Sequence, residues 1–323
     1  MKIISDYPIN ENTLKDISEI TKDYDFLVSR RFKNNDAKMY LSDSNPNKCR
    51  FCGKSFPEVT FKSESHTIPE FIGNKSLISK FECDSCNKKY FNIFENEFAN
   101  FMLPHNIFSG TKSKKNKISK YKLKNQPEIT NTQEKIFLSN VPDSIIHESQ
   151  KDSLEIKIKI PSFIPEYIYR CLIKIVLSII PEEKLDIYQG TLEWLMDLEI
   201  QSNIKPFMVF SMYPFNIQTK EIACAILERK DCCPKNIPHS IFFMSYNNFA
   251  FQTCIPYSIK EKIGVSLQAV PFIYPMQFDL NNNHDGMKNY GYLDLSSKEK
   301  ITDKVATYTI KRERQIINKN TKR

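Results

Sequence analysis

The sequence predicts an α+β fold: a small ββα unit stapled by four cysteines, then a mixed α+β domain with an antiparallel sheet. Three observations carry this. Two Cys-x-x-Cys pairs, Cys49/Cys52 and Cys83/Cys86, bracket a short insert. The apolar period changes from two residues to the helical spacing at the second pair. Downstream, two helical stretches are followed by a series of short apolar runs of strand length.

Taken in order, Asn12 to Tyr24 reads as a helix, because Leu14, Ile17 and Ile20 recur on one side. Arg30-Arg31-Phe32-Lys33 reads as a solvated linker face, with contact to a phosphate backbone as the alternative. Ser42 to Lys48 is turn-rich and leads into the first cysteine pair. Four thiolates in two such pairs suit structural Zn²⁺, which they close tetrahedrally without an open position. The alternative is two unrelated pairs of buried thiols; a redox role lacks the βαβ setting it needs. Gly53 supplies the permissive backbone of the first knuckle.

Within the insert, Val59, Phe61, Ser63 and Ser65 alternate with Thr60, Lys62, Glu64 and His66. That predicts a strand with Glu64 and His66 on one face. A loop with Pro69, Gly73 and Asn74 follows, and Leu77 to Glu82 returns as a second strand. Phe91, Phe94, Phe98 and Phe101 then mark a helix face, with Asp84 and Ser85 at its start. A metal on the four cysteines would hold His66, at the end of the first strand, near Asn87, in the first helical turn.

Strand, loop, strand and helix, with His66-x-x-Pro69 after the first strand and Cys83-x-x-Cys86-Asn87 opening the helix, resembles the ββα-metal finger of HNH endonucleases. The zinc-stapled branch is the match, as an H-N-N variant, over roughly Lys48 to Lys124. The resemblance implies that His66 is the general base that activates water. It implies that Asn87 binds one divalent ion, Mg²⁺ or Mn²⁺, on the scissile phosphate. Asn74 stands nearest to the family's middle Asn. Many members carry Asp or Glu directly before the histidine; here that residue is Ser65. Non-specific nucleases of this type use an Asn and a Glu around the metal at the spacing of Asn87 and Glu95, so Glu95 is implied as the second metal ligand. The residues agree with the chemistry: imidazole titrates near neutral pH, and an Asn oxygen with waters is a reasonable Mg²⁺ shell.

The chain has 323 residues, a net charge of +8, nine cysteines and only seven glycines. Such a charge is compatible with a polyanionic partner. No phosphate-binding glycine loop or nucleophile elbow occurs, so ATPase and serine-hydrolase readings lose their main support. No apolar run has membrane-spanning length without charge, and no membrane partner is expected. The odd remainder of cysteines and the absence of a signal-peptide pattern point to a reducing cytoplasm. Lys112, Lys114, Lys115, Lys117, Lys120, Lys122 and Lys124, with Tyr121 among them, form an acid-free run suited to a nucleic-acid backbone. A soluble loop is the bland alternative.

From Ile129 the composition changes. Ile136 to Leu138 and Leu154 to Ile160 read as strands, and Phe163 to Ile180 as an apolar helix with one polar stripe, Glu166, Arg170 and Lys174. Leu185 to Met196 reads as a further helix. Phe207 to Met212, Glu221 to Leu227, Ser240 to Ser245, Phe249 to Ile255 and Ala269 to Tyr274 read as an antiparallel sheet. His147, His239 and His284 are isolated, and Cys232-Cys233 lacks knuckle spacing. The expected organisation is a nuclease unit over 1–127 (finger 48–103, basic segment 112–124), a regulatory or binding domain over 128–308 and a basic tail over 309–323.

The leading expectation is a metal-dependent endonuclease acting on DNA rather than RNA, gated by its C-terminal domain in a bacterial defence or restriction system. A homodimer or a defence-complex partner fits that setting. Two rivals stay open: a zinc-stapled nucleic-acid-binding module without activity, supported by Ser65, and a defence-complex adaptor.

Overall fold

The computed structural model describes residues 18, 20–33, 36–113, 116–124, 126–132, 135–140, 146–150, 153–213, 219–261 and 289–311. Most of the expected helix over Asn12–Tyr24 lies outside them, and its described part ends at Asp23. Then comes β1 (Tyr24–Lys33), so Arg30-Arg31-Phe32-Lys33 is strand and not linker. The reason is spacing: Val28 and Phe32, four residues apart, share one buried face, while a bulge between Phe26 and Val28 turns the buried Tyr24 to the other face of the sheet. Arg31 on this strand ion-pairs with the buried Glu221.

The finger contains β2 (Met39–Leu41), β3 (Ser65–His66) and β4 (Leu77–Ser79), in the order β2-β4-β3. β3 runs antiparallel to β4, and β2 parallel to it. The strand expected over Val59–His66 is therefore only its last two residues. Asp84 explains the loss. Its carboxylate accepts the backbone N–H of Lys62 at 3.0 Å and of Ser63 at 2.8 Å, and the Thr60 hydroxyl. Its own N–H donates to the Thr60 carbonyl at 2.8 Å. The segment thus wraps the helix start instead of entering a ladder. Although burial works the other way, these donors hold the Asp84 carboxyl well below the usual range. Asp84→Ala is expected to cost about 1–3 kcal/mol, since it removes several hydrogen bonds to a charged acceptor. The stabilising share from ionised Asp84 is complete above the ordinary carboxylate range and is lost only as pH falls through the depressed value. Denaturant titrations at two pH values check both.

A helical turn at Asp84–Cys86 passes into a π turn at Asn87–Phe91 and then α1 (Asn92–Phe108). After a β5 (Glu128–Asn131) and β6 (Ile136–Ser139) hairpin come β7 (Ile146–Gln150) and β8 (Ser153–Lys159). Next are α2 (Pro165–Ile179), a 3-10 stretch at Glu182–Tyr188 and α3 (Gln189–Met196). The remaining strands are β9 (Phe207–Met212), β10 (Glu221–Arg229), β11 (Ser240–Tyr246), β12 (Phe249–Cys254), β13 (Asn289–Asp294) and β14 (Val305–Lys311). Six strands form one antiparallel sheet in the order β1-β10-β11-β12-β9-β13. A second sheet has the order β14-β8-β7. Ala269–Tyr274, His284 and the tail after Lys311 lie outside the described residues, as does the side chain of His147.

Helix α1 lies between α2 and the large sheet. Phe94 and Phe101 meet Tyr167 and Phe163 at 5.2 and 5.3 Å between ring centres, while Phe98 meets Phe251 at 5.6 Å. Three polar ties fix α2 to the finger. Glu97 accepts the Ile164 N–H at 2.8 Å at one end, and Arg50 donates to the Leu177 and Ile180 carbonyls at 2.7 and 2.9 Å at the other. Lys174 makes the third, in the middle. Buried side chains from Val28 to Tyr308 form one cluster. Packing therefore does not divide at residue 127, and β1 belongs to the sheet of the later region. Among the described residues no helix is long and apolar enough to cross a membrane.

Candidate metal centre and active site

The two knuckles converge. The metal-binding atoms of Cys49, Cys52, Cys83 and Cys86 all lie within 4.8 Å of one another. Cys49 and Cys86 Sγ are 3.9 Å apart, as are Cys52 and Cys83 Sγ. A disulfide would need about 2.05 Å, whereas thiolates about 2.3 Å from a tetrahedral Zn²⁺ stand about 3.8 Å apart. Donor type and spacing both fit a closed metal site. Gly53 turns the first knuckle at φ +70°, with no neighbour near the place of a Cβ, so backbone conformation alone selects glycine. The sulfurs polarise one another. The hydrogen bond between Cys49 and Cys86 pulls the Cys49 thiol down to about 5, and burial pushes Cys83 up to about 11.

His66 ends β3, with its side chain 19% exposed. Its Nδ1 is buried without a hydrogen-bond partner, and Nε2 lies 3.7 Å from Glu70. Burial lowers the ring's pKa below 6.5, against the pull of Glu70 and Glu64. The imidazole is therefore neutral at neutral pH and can accept a proton.

Asn87 opens the π turn, and its amide nitrogen donates to Ser65 Oγ at 3.2 Å, leaving Oδ1 for another partner. Glu95 follows eight residues later in α1. Eight ideal α-helical steps overshoot two turns by about 80°. The π turn, whose bond runs from Asn92 N–H to the Asn87 carbonyl, holds more residues per turn and removes part of that overshoot. It thus brings Asn87 and Glu95 towards one face. The sequence reading had no signal for this wider turn.

Asn74 has a different place. It is fully buried, donates to the Ile68 and Leu77 carbonyls at 2.7 and 3.0 Å, and accepts from Ser76 and Leu77 N–H at 3.1 and 2.9 Å. Its hydrogen-bonding capacity is spent on the loop behind His66. These bonds tie Asn74 into the loop that carries His66.

Two residues absent from the sequence reading of the site stand beside these. Lys174 reaches in from α2, with its side chain 1% exposed. Its Nζ lies 2.7 Å from the His66 carbonyl, 3.2 Å from Glu82 Oε2 and 3.5 Å from Glu95 Oε1. Glu82 is equally buried, and the Ser65 hydroxyl donates to it. Burial pushes the Glu82 carboxyl up to about 7 against the pull of Lys174. For Lys174, burial favours the neutral amine, but the carboxylates of Glu82 and Glu95 outweigh it and raise the pKa. Asn87, Ser65, Glu82, Lys174 and Glu95 are thereby linked in one chain. The polar stripe of α2 was the available signal for Lys174; nothing local marked its destination.

In the basic segment, Lys117, Lys120, Lys122 and Lys124 are exposed and Lys112 is half-buried. Lys114 and Lys115 lie outside the described residues. The segment is anchored: Tyr121 is fully buried with its hydroxyl on the Lys159 carbonyl at 2.5 Å, and Asn247 holds Thr111 Oγ1 at 2.7 Å. Lys122 is paired with Glu128 at 2.8 Å. Seventeen residues of α1 put about 25 Å of helix between the finger's site and this segment. Lys88 and Lys89, directly after Asn87, are also exposed; their basic contribution was not singled out from sequence.

No curated protein and no solved structure matches the chain. The finger itself does find a counterpart. The stretch with the cysteine cluster, His66, Asn87 and Glu95, residues 49–103, matches the HNH endonuclease family.

Proposed function

We propose that the chain is a metal-dependent endonuclease that hydrolyses phosphodiester bonds, with DNA as substrate. The observation that carries the reading is a neutral, partly exposed His66 inside the matched segment. In this reading Cys49, Cys52, Cys83 and Cys86 hold Zn²⁺ as a structural staple. Asn87 Oδ1 and Glu95 offer hard oxygen donors of the kind Mg²⁺ or Mn²⁺ takes. When bound there, such an ion supplies charge neutralisation for the phosphate and the leaving oxygen. The His66 imidazole takes the proton from the attacking water. Lys88, Lys89 and the segment 112–124 hold the backbone, and about 25 Å between them is within one duplex turn of about 34 Å. The C-terminal region, tied to the finger through α2, fits the role of a regulatory part. By analogy with HNH proteins that carry an extra domain, the setting is bacterial defence or restriction.

Plasmid incubated with Mg²⁺ or Mn²⁺ should be nicked, and EDTA should stop it. The rising limb of the pH–rate profile should lie below pH 6.5, because the neutral form of His66 is favoured in the fold. Ser65, in the place of a metal-binding carboxylate, favours a second reading, a binding module without activity. Retarded but intact plasmid at every metal concentration would select it.

Replacing Lys117, Lys120 and Lys124 together by Gln should weaken binding to all duplex sequences alike. Each lost phosphate contact should flatten the log affinity against log salt slope by about 0.9. Gel shifts across salt concentrations check this, and an unchanged slope removes the segment from the interface.

A further inference from the structure

Lys174 lies outside the matched segment, yet its ammonium sits among the finger's candidate ligands. It is held on three sides: by the His66 carbonyl at 2.7 Å, by Glu82 at 3.2 Å and, most loosely, by Glu95 at 3.5 Å. Glu82 is too buried to serve a solvent ion, with its side chain 1% exposed, whereas Glu95 is 24% exposed and open to one. The two carboxylates thus differ in role. Glu82 is the counter-charge that keeps an ammonium in the site, and Glu95 is shared between that ammonium and whatever arrives from solvent.

We propose that Lys174 is a resident cation of this site: anchored by Glu82 and the His66 carbonyl, its ammonium competes with a divalent ion for Glu95 and so sets the metal concentration at which the site loads. The inference rests on the reading of Asn87 and Glu95 as the divalent-ion ligands. Its physical basis is charge. Two cations sharing one carboxylate repel each other strongly at a few ångströms in a half-buried setting. Relief comes from Glu82, which draws the ammonium away from Glu95 when another cation takes that oxygen. Lys174 also brings the C-terminal region into the site, because α2 cannot shift without moving the ammonium.

The two carboxylates give the test its direction. In Glu82→Gln the ammonium loses its counter-charge and leans on Glu95, so divalent-ion affinity should fall severalfold. In the double variant Lys174→Met with Glu82→Gln, both charges go together, which a buried pair tolerates better than the loss of one partner. The ammonium then no longer competes for Glu95, and affinity should rise about tenfold or more. The measurement is Mn²⁺ binding to zinc-loaded full-length chain, read from the electron paramagnetic resonance of free Mn²⁺, with zinc content and thermal melting as checks of folding. A merely structural role for the pair predicts weaker binding in both variants. Opposite shifts support the competition; a double variant that binds Mn²⁺ as the wild type does, or more weakly, overturns it. Glu95→Gln should abolish the gain in the double-variant background, and a gain that persists there also overturns the inference. Failure of the nuclease reading shows separately, as wild-type protein that binds Mn²⁺ and leaves plasmid intact.

Discussion

Replacing Cys83 by serine should release the metal from the knuckles and unfold the finger. Cys83 belongs to both halves of the staple. Its sulfur lies 3.9 Å from Cys52 Sγ, and it caps the helix start by accepting the Cys86 N–H at 3.4 Å. Structural zinc sites in small domains contribute about 10–16 kcal/mol to folding, far more than the apolar contacts of so short a hairpin. Phe51, Phe81 and Phe91, which cluster beside the cysteines with Phe51 and Phe91 at 4.5 Å, lose their frame with it. Zinc per chain should fall from one to none, and limited proteolysis should cut between residues 49 and 103 first. Folded, protease-resistant protein without zinc would show that the cysteines are only buried thiols.

His66→Ala should lower the cleavage rate by about two to four orders of magnitude, the usual consequence of losing a positioned general base. The substitution is clean. The His66 carbonyl, which holds Lys174, remains, and the ring's Nδ1 has no partner to strand. Zinc content and duplex binding should therefore stay near wild type. Asn87→Ala should lose activity through metal affinity, so excess Mn²⁺ should restore part of it. Plasmid nicking, metal analysis and gel shift on the same preparations separate these outcomes. Wild-type cleavage by His66→Ala would remove the proposed chemistry.

What could be read in advance was what is local. The knuckles announce themselves by spacing, α1 by its phenylalanines, and β8 and β9 by alternation or length. The short strand β3 shows the limit of that logic. Alternation over Val59–His66 is present in the residues, yet the carboxylate of Asp84 captures the backbone donors that a ladder would use. For Asn74, sequence does not reveal that four hydrogen bonds tie its amide into the loop. Glu82 and Lys174 were hidden by distance along the chain, 92 residues apart. A buried charge pair leaves no periodic trace beyond a polar stripe, and that stripe does not name its partner.

The pairing of β1 with β10 sets an order of events during synthesis. At translation rates of about 5–20 residues per second, β10 follows β1 from the ribosome after roughly ten to forty seconds. Throughout that interval Tyr24, Val28 and Phe32 have no sheet to cover them. The knuckles, complete by residue 86, can take up metal while this strand waits. A finger stapled at that stage would have Glu95 without an ammonium beside it, until residue 174 emerges and α2 docks.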